Sequence, residues 1–98
     1  MHIFDKKPYT KPELIYVDST KMADLILELD YPLLMHNNLG RGYFLLAQER
    51  ADFDGDEPNI IYEGRTFYGK IFIIKAGKAK MLEMTMDDLI EIEELIEL

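Results

Sequence analysis

The chain predicts an α+β fold: a mostly antiparallel sheet of five to six strands with two helices, in the order β-α-β-β-β-β-β-α. Three observations predict it. Apolar runs of strand length recur, separated by turns rich in Asn, Gly and Pro. Only two stretches, one after Ser19-Thr20 and one after Thr85, space their apolar residues as a helix does. The 98 residues are 48% hydrophobic and 11% aromatic, enough to bury one core, so residues 1–98 are expected to form a single domain.

Glu13-Leu-Ile-Tyr-Val17 reads as the first strand. Ser19 or Thr20 caps a helix with Met22, Leu25, Ile26 and Leu29 on one face, and Pro32 stops it. Leu33-Leu-Met-His36 and Tyr43-Phe-Leu-Leu-Ala47 read as two strands around Asn37-Asn-Leu-Gly-Arg-Gly42, whose residues suit positive φ. Residues 49–58 form a polar, acidic loop ending at Pro58. Asn59–Tyr62 and Thr66–Lys75 are further strands. In the latter, Phe67, Ile71 and Ile73 face one way and Tyr68, Phe72 and Ile74 the other, so it is expected at the centre of the sheet. Ala76-Gly77-Lys78 turns the chain into Ala79–Met84, and the last helix runs from Thr85 to Leu98.

That last helix is the most informative stretch. It holds six carboxylates and no basic residue. Thr85 and Asp88 have the spacing of a capping box, and Leu89, Ile92 and Ile96 form a buried stripe. Asp87 and Asp88 suit the positive end of the helix dipole, whereas Glu93, Glu94 and Glu97 lie at its negative end. The pairs Asp87/Glu91 and Glu93/Glu97 repel at i, i+4. A basic group is expected to offset this charge, either Lys70, Lys75, Lys78 or Lys80 within the fold or a partner.

Charge is unevenly spread within the net −8. Residues 49–63 carry −5, residues 64–82 carry +5 and residues 83–98 carry −7. Such an acidic chain is not drawn to phosphate backbones, so direct nucleic-acid binding is disfavoured. There is no Cys, which excludes disulfides and thiolate metal sites. No apolar run approaches a membrane span, and Met1–Pro8 has no apolar stretch of signal-peptide length. The expectation is a cytoplasmic protein.

Most catalytic chemistry fails on inventory. Ser19, the single Ser, is already a candidate helix cap, and two His residues are too few for a zinc site. His36 reads as a loop-end residue. Gly40-Arg-Gly42 lacks the third glycine of a dinucleotide fingerprint and leads into a strand. Asp52, Asp54, Asp56 and Glu63 fall at four ligand positions of a calcium loop, but Glu57 stands where the loop needs glycine, and strands flank it where helices are required. No metal and no cofactor are expected. Tyr62, Phe67 and Tyr68 with Arg65 and Lys70 offer a base-stacking face or, more simply, core aromatics edged by basic residues.

Several segments together resemble a family of short phage and mobile-element proteins of unknown function, often encoded near antirestriction genes. They are Val17–Leu25, Met35-His-Asn-Asn-Leu-Gly40, Tyr68-Gly-Lys-Ile-Phe-Ile-Ile74 and Leu82–Ile90. The chain has Asp30-Tyr31-Pro32 where that family tends to have Gly-Gly-Tyr, and it lacks the Leu-Pro-x-Asn stretch after the hairpin. The resemblance implies a mobile-element setting and carries no catalytic residue.

The functional expectation is a non-enzymatic acidic binding protein. Its surface would comprise Asp52, Asp54, Asp56, Glu57, Asp87, Asp88, Glu91 and Glu94, facing a basic protein surface. With the resemblance, the sharper form is an inhibitor that occupies the nucleic-acid groove of a host defence protein. The alternative is a small accessory domain that binds a small ligand or self-associates through its sheet.

Overall fold

The structure, a computed structural model, describes residues 1–18, 34–48, 55–78 and 80–96, with residues 34–37 described by their backbone. The strands are β1 (His2–Lys6), β2 (Glu13–Tyr16), β3 (Leu34–Gly40), β4 (Tyr43–Gln48), β5 (Pro58–Tyr62), β6 (Arg65–Tyr68), β7 (Ile71–Gly77) and β8 (Lys80–Leu82). A helix, α1 (Met86–Leu95), follows them. The architecture is α+β and rich in sheet. Among the described residues there is one helix, so the count of two is not supported. The helix expected after Ser19 falls on residues 19–33, outside the described residues.

Six strands form one antiparallel sheet: five in the order β2-β1-β7-β4-β3, and β8 paired to β7 off that path. Strand β7 is the axis. One edge pairs with β4, from Tyr43↔Lys75 to Ala47↔Ile71. Its other edge is shared end to end: Ile71–Ile73 pair with β1, and Lys75–Gly77 pair with β8. Three successive residues of β7, Ile71, Phe72 and Ile73, are buried although their side chains alternate between the two faces. The apolar run on both faces therefore does mark the central strand.

Two expectations need correction. Thr66–Lys75 is not one strand: it breaks at Gly69-Lys70, and β6 leaves to form a separate hairpin with β5. Gly69 has φ +74, and a Cβ there would sit 3.1 Å from the Asp56 carboxylate, so only glycine makes this corner without strain. The β3–β4 loop is also shorter than expected. Asn37 and Asn38 are in the ladder, opposite Leu45 and Phe44, and the turn closes at Arg41. One element was not foreseen at all: β1, in which Ile3, Phe4 and Lys6 are buried.

Strand alternation sorts the core into two layers. On one face, Phe4, Tyr43, Leu45, Ile71 and Ile73 pack with Ile60 and Phe67 of the β5–β6 hairpin and with Leu89, Ile92 and Ile96 of the C-terminal segment. On the other, Ile3, Val17, Leu46 and Phe72 pack together, with Ile15, Ile74 and Met81 against them. The hairpin and α1 thus cover the same face of the large sheet. Lys6 and Lys75 belong to that face as well, by their register with Phe4 and Ile73.

Candidate functional site

The stripe that anchors α1 lies where its spacing requires. Ile92 is fully buried, and Leu89 and Ile96 nearly so. The capping box forms. The Thr85 hydroxyl accepts from the Asp88 N–H at 3.4 Å, and the Thr85 N–H donates to Asp88 Oδ2 at 2.8 Å. Asp88 therefore turns inward rather than joining the acidic surface expected of it. The Tyr43 hydroxyl lies 2.7 Å from Asp88 Oδ1, and Lys75 Nζ donates to the same oxygen at 3.0 Å.

Glu91 sits one turn further along α1, beside the same phenol. Its Oε2 is 2.8 Å from the Tyr43 hydroxyl, and Arg41 donates to its Oε1 at 2.9 Å. One hydroxyl proton faces two carboxylates, so the cations Lys75 and Arg41 stabilise the arrangement. Burial raises the Tyr43 pKa most, and its contacts with Asp88 and Glu91 raise it further. The phenol stays protonated and acts as a fixed donor.

Burial by itself would raise the Asp88 pKa. Donors from Tyr43, the Thr85 backbone and Lys75 outweigh it and hold the carboxyl at about 2. Its folded value lies below its ordinary one of 3.8. The stabilisation is therefore fully present above pH ~4 and fades as the pH falls toward ~2, amounting to about 2 kcal/mol. In urea titrations, the stability gap between the parent and Asp88→Asn should shrink by about that amount between pH ~5 and pH ~2. A gap constant across that range would show that Asp88 is not held ionised by these donors.

The remaining expected site residues are distributed as follows. Asp87 and Glu94 are exposed on α1, and Asp56 and Glu57 are exposed just before β5. Glu57 accepts from the Tyr9 hydroxyl at 3.1 Å. Asp52 and Asp54 lie outside the described residues. Of the four lysines considered as internal counter-ions, Lys75 takes that role, and Arg41 joins it. Phe67 is buried in the core with Arg65 5.0 Å above its ring, and the Tyr62 hydroxyl donates to Leu39 O at 3.0 Å. Phe67 and Tyr62 of the β5–β6 hairpin thus pack with the core.

A feature that the sequence reading passed over lies on the outer side of α1. Met86 and Ile90 are 61% and 53% exposed. At about 100° per residue they form one stripe, with Glu93 on one side and Asp87 and Glu94 on the other. Ile90 stands apart from the Leu89, Ile92, Ile96 stripe in sequence, and that was the available signal. The helix is therefore two-sided. Its inner acids are hydrogen-bonded and ion-paired within the fold, and its outer acids frame an exposed apolar pair.

Among the described residues no helix is long and apolar enough to cross a membrane. Comparison with protein-family models, with curated proteins and with solved structures gives no match for this chain.

Proposed function

We propose that the chain is a non-enzymatic acidic binding protein that engages a basic protein surface through the outer face of α1. One observation carries this reading. The cations that reach α1 among the described residues, Lys75 and Arg41, are committed to Asp88 and Glu91. Asp87, Glu93 and Glu94 stay exposed around Met86 and Ile90. An apolar pair framed by carboxylates matches a partner with an apolar centre and a basic rim, in which the rim charges guide encounter and the centre supplies affinity. Asp56 and Glu57 offer a second acidic surface, and Asp52 and Asp54 extend it in sequence.

The sharper form of this reading is a phage or mobile-element inhibitor. Its carboxylates would stand in for the phosphates that a host defence protein ordinarily grips. The family resemblance in the sequence motivates that form.

The test is affinity capture from host lysate with the parent and with Asp87→Lys/Glu94→Lys. The reversed charges are exposed, so folding stability should change by no more than about 0.5 kcal/mol. The parent should retain a basic, nucleic-acid-handling protein at about 50 mM salt and release it near 1 M, where the screening length is only about 3 Å. The folded variant should not retain it. Equal capture by both proteins would remove α1 as the binding surface.

A further inference from the structure

Away from α1, a cleft of about 410 Å³ opens between the β1–β2 connection and the β5–β6 hairpin. Lys6, Tyr9, Pro58, Asn59, Ile61 and Thr66 line it, with Ile60 among its walls. We propose that this cleft is a binding site for a small monocarboxylate with an apolar or aromatic body, whose carboxylate is held by the Lys6 ammonium.

Lys6 is the reason. It is 3% exposed, and a lysine is seldom buried so far without an ionic partner. Its Nζ donates to Asn59 Oδ1 at 2.6 Å and to Lys7 O at 3.2 Å. Both acceptors are neutral, and they use two of its three N–H groups. Among the described residues no carboxylate lies within ion-pair distance of it. The neighbouring Asp5 alternates to the opposite face of β1. A buried cation that, among the described residues, is held by neutral oxygens is where a ligand anion gains most, because the desolvation of the cation has already been met by folding. Burial also lowers the Lys6 pKa, consistent with an ammonium short of negative charge.

The remaining walls set the ligand class. Pro58, Ile60 and Ile61 are apolar, and the volume lies toward the small end of the roughly 300–1,000 Å³ typical of ligand sites. The Asn59 amide N–H groups are occupied by Lys6 O and Gly69 O, so they add no donor to the cleft. One cation among apolar walls suits one negative charge on an apolar body. Tyr9 contributes an aromatic ring at the rim. It is 78% exposed, has φ 61 and is tied through its hydroxyl to Glu57. A non-glycine residue in that left-handed conformation, held by a cross-loop hydrogen bond, keeps the ring at the cleft instead of letting the loop relax.

The test uses 4-phenylbutyrate and, as its uncharged counterpart, 4-phenyl-1-butanol. Each is titrated into the ¹⁵N-labelled full chain and followed by amide chemical shifts. The carboxylate should give saturable shifts clustered at Tyr9, Thr10, Asn59, Ile61 and Thr66, with affinity at least about tenfold tighter than the alcohol. Lys6→Met should reduce the carboxylate to the affinity of the alcohol. Ile61→Glu, on the exposed hairpin surface, should weaken the carboxylate by a similar factor through charge repulsion, and it decides the matter should Lys6→Met fail to fold. The proposal is overturned by any of three results. One is no saturable shift at these residues up to about 10 mM carboxylate. The others are equal affinity for acid and alcohol, or unchanged carboxylate affinity in the folded variants.

Discussion

Replacing Asn59 by alanine should cost about 3–5 kcal/mol, because it strands a buried charge as well as two backbone carbonyls. Asn59 is 7% exposed, and both its amide oxygen and its amide nitrogen are hydrogen-bonded. Its Oδ1 accepts from Lys6 Nζ at 2.6 Å, and its Nδ2 donates to Lys6 O at 2.8 Å and to Gly69 O at 2.7 Å. These bonds join β1 of the large sheet to the corner where β6 becomes β7. The Gly69 N–H, bonded to Glu57 O at 2.8 Å, closes the same corner. Alanine leaves the Lys6 ammonium without its closest acceptor. Chemical denaturation checks the loss directly. Lys6→Met/Asn59→Ala should be less destabilised than the sum of the two single variants, because removing the cation removes the charge that Asn59 serves. A loss below about 1 kcal/mol for Asn59→Ala would mean that these bonds do not join the hairpin to the sheet.

Ile92→Ala should cost about 3–4 kcal/mol, within the usual range for a fully buried aliphatic side chain. Ile92 has no exposed surface, and its cluster includes Phe4, Leu45 and Ile73 of the sheet with Met84 and Leu89 beside it. Cutting it back leaves a void between two rigid elements that cannot close without moving α1. Domains of this size have roughly 5–15 kcal/mol in total, so the variant should show a much lower urea midpoint. A loss within about 0.5 kcal/mol would mean that α1 is a free arm rather than part of the core.

Much of α1 was legible from residue spacing alone. Thr85 and Asp88 signal a capping box, and Leu89, Ile92 and Ile96 signal a stripe, because both patterns act within a turn or two of chain. The central position of Ile71–Ile73 was legible for the same local reason: apolar residues on both faces leave no side for water. What was not legible depends on contacts far apart in sequence. Arg41 meets Glu91 only because β4 lies beside β7 and α1 crosses that face. Lys6 reads as a polar residue at the end of a short segment, and its shortest hydrogen bond, which helps make its burial tolerable, goes to Asn59, fifty-three positions away. That is why β1 escaped notice. The break at Gly69 was hidden because Thr66–Lys75 keeps its alternation through the corner, and a single glycine inside such a run does not say which way the chain turns.

Asp88 shows how one residue can satisfy a local rule and still mislead about which surface it belongs to. Its place in the first turn fits the helix dipole, and its negative charge adds to an acidic segment. In the fold that charge is consumed by Tyr43, Lys75 and Thr85. The acids left exposed on α1 are those whose positions face away from the core, and they flank Met86 and Ile90.

The central claim is that α1 holds the fold with its inner side and binds a basic protein with its outer side. The most direct test is the association rate of the captured partner, measured by stopped flow across a salt series for the parent and for Asp87→Lys/Glu94→Lys. Association of the parent should be fast and fall steeply with salt. Association of the variant should be slower, with a much flatter salt dependence and folding stability unchanged to within about 0.5 kcal/mol. Superimposable salt series for the two folded proteins would contradict the claim.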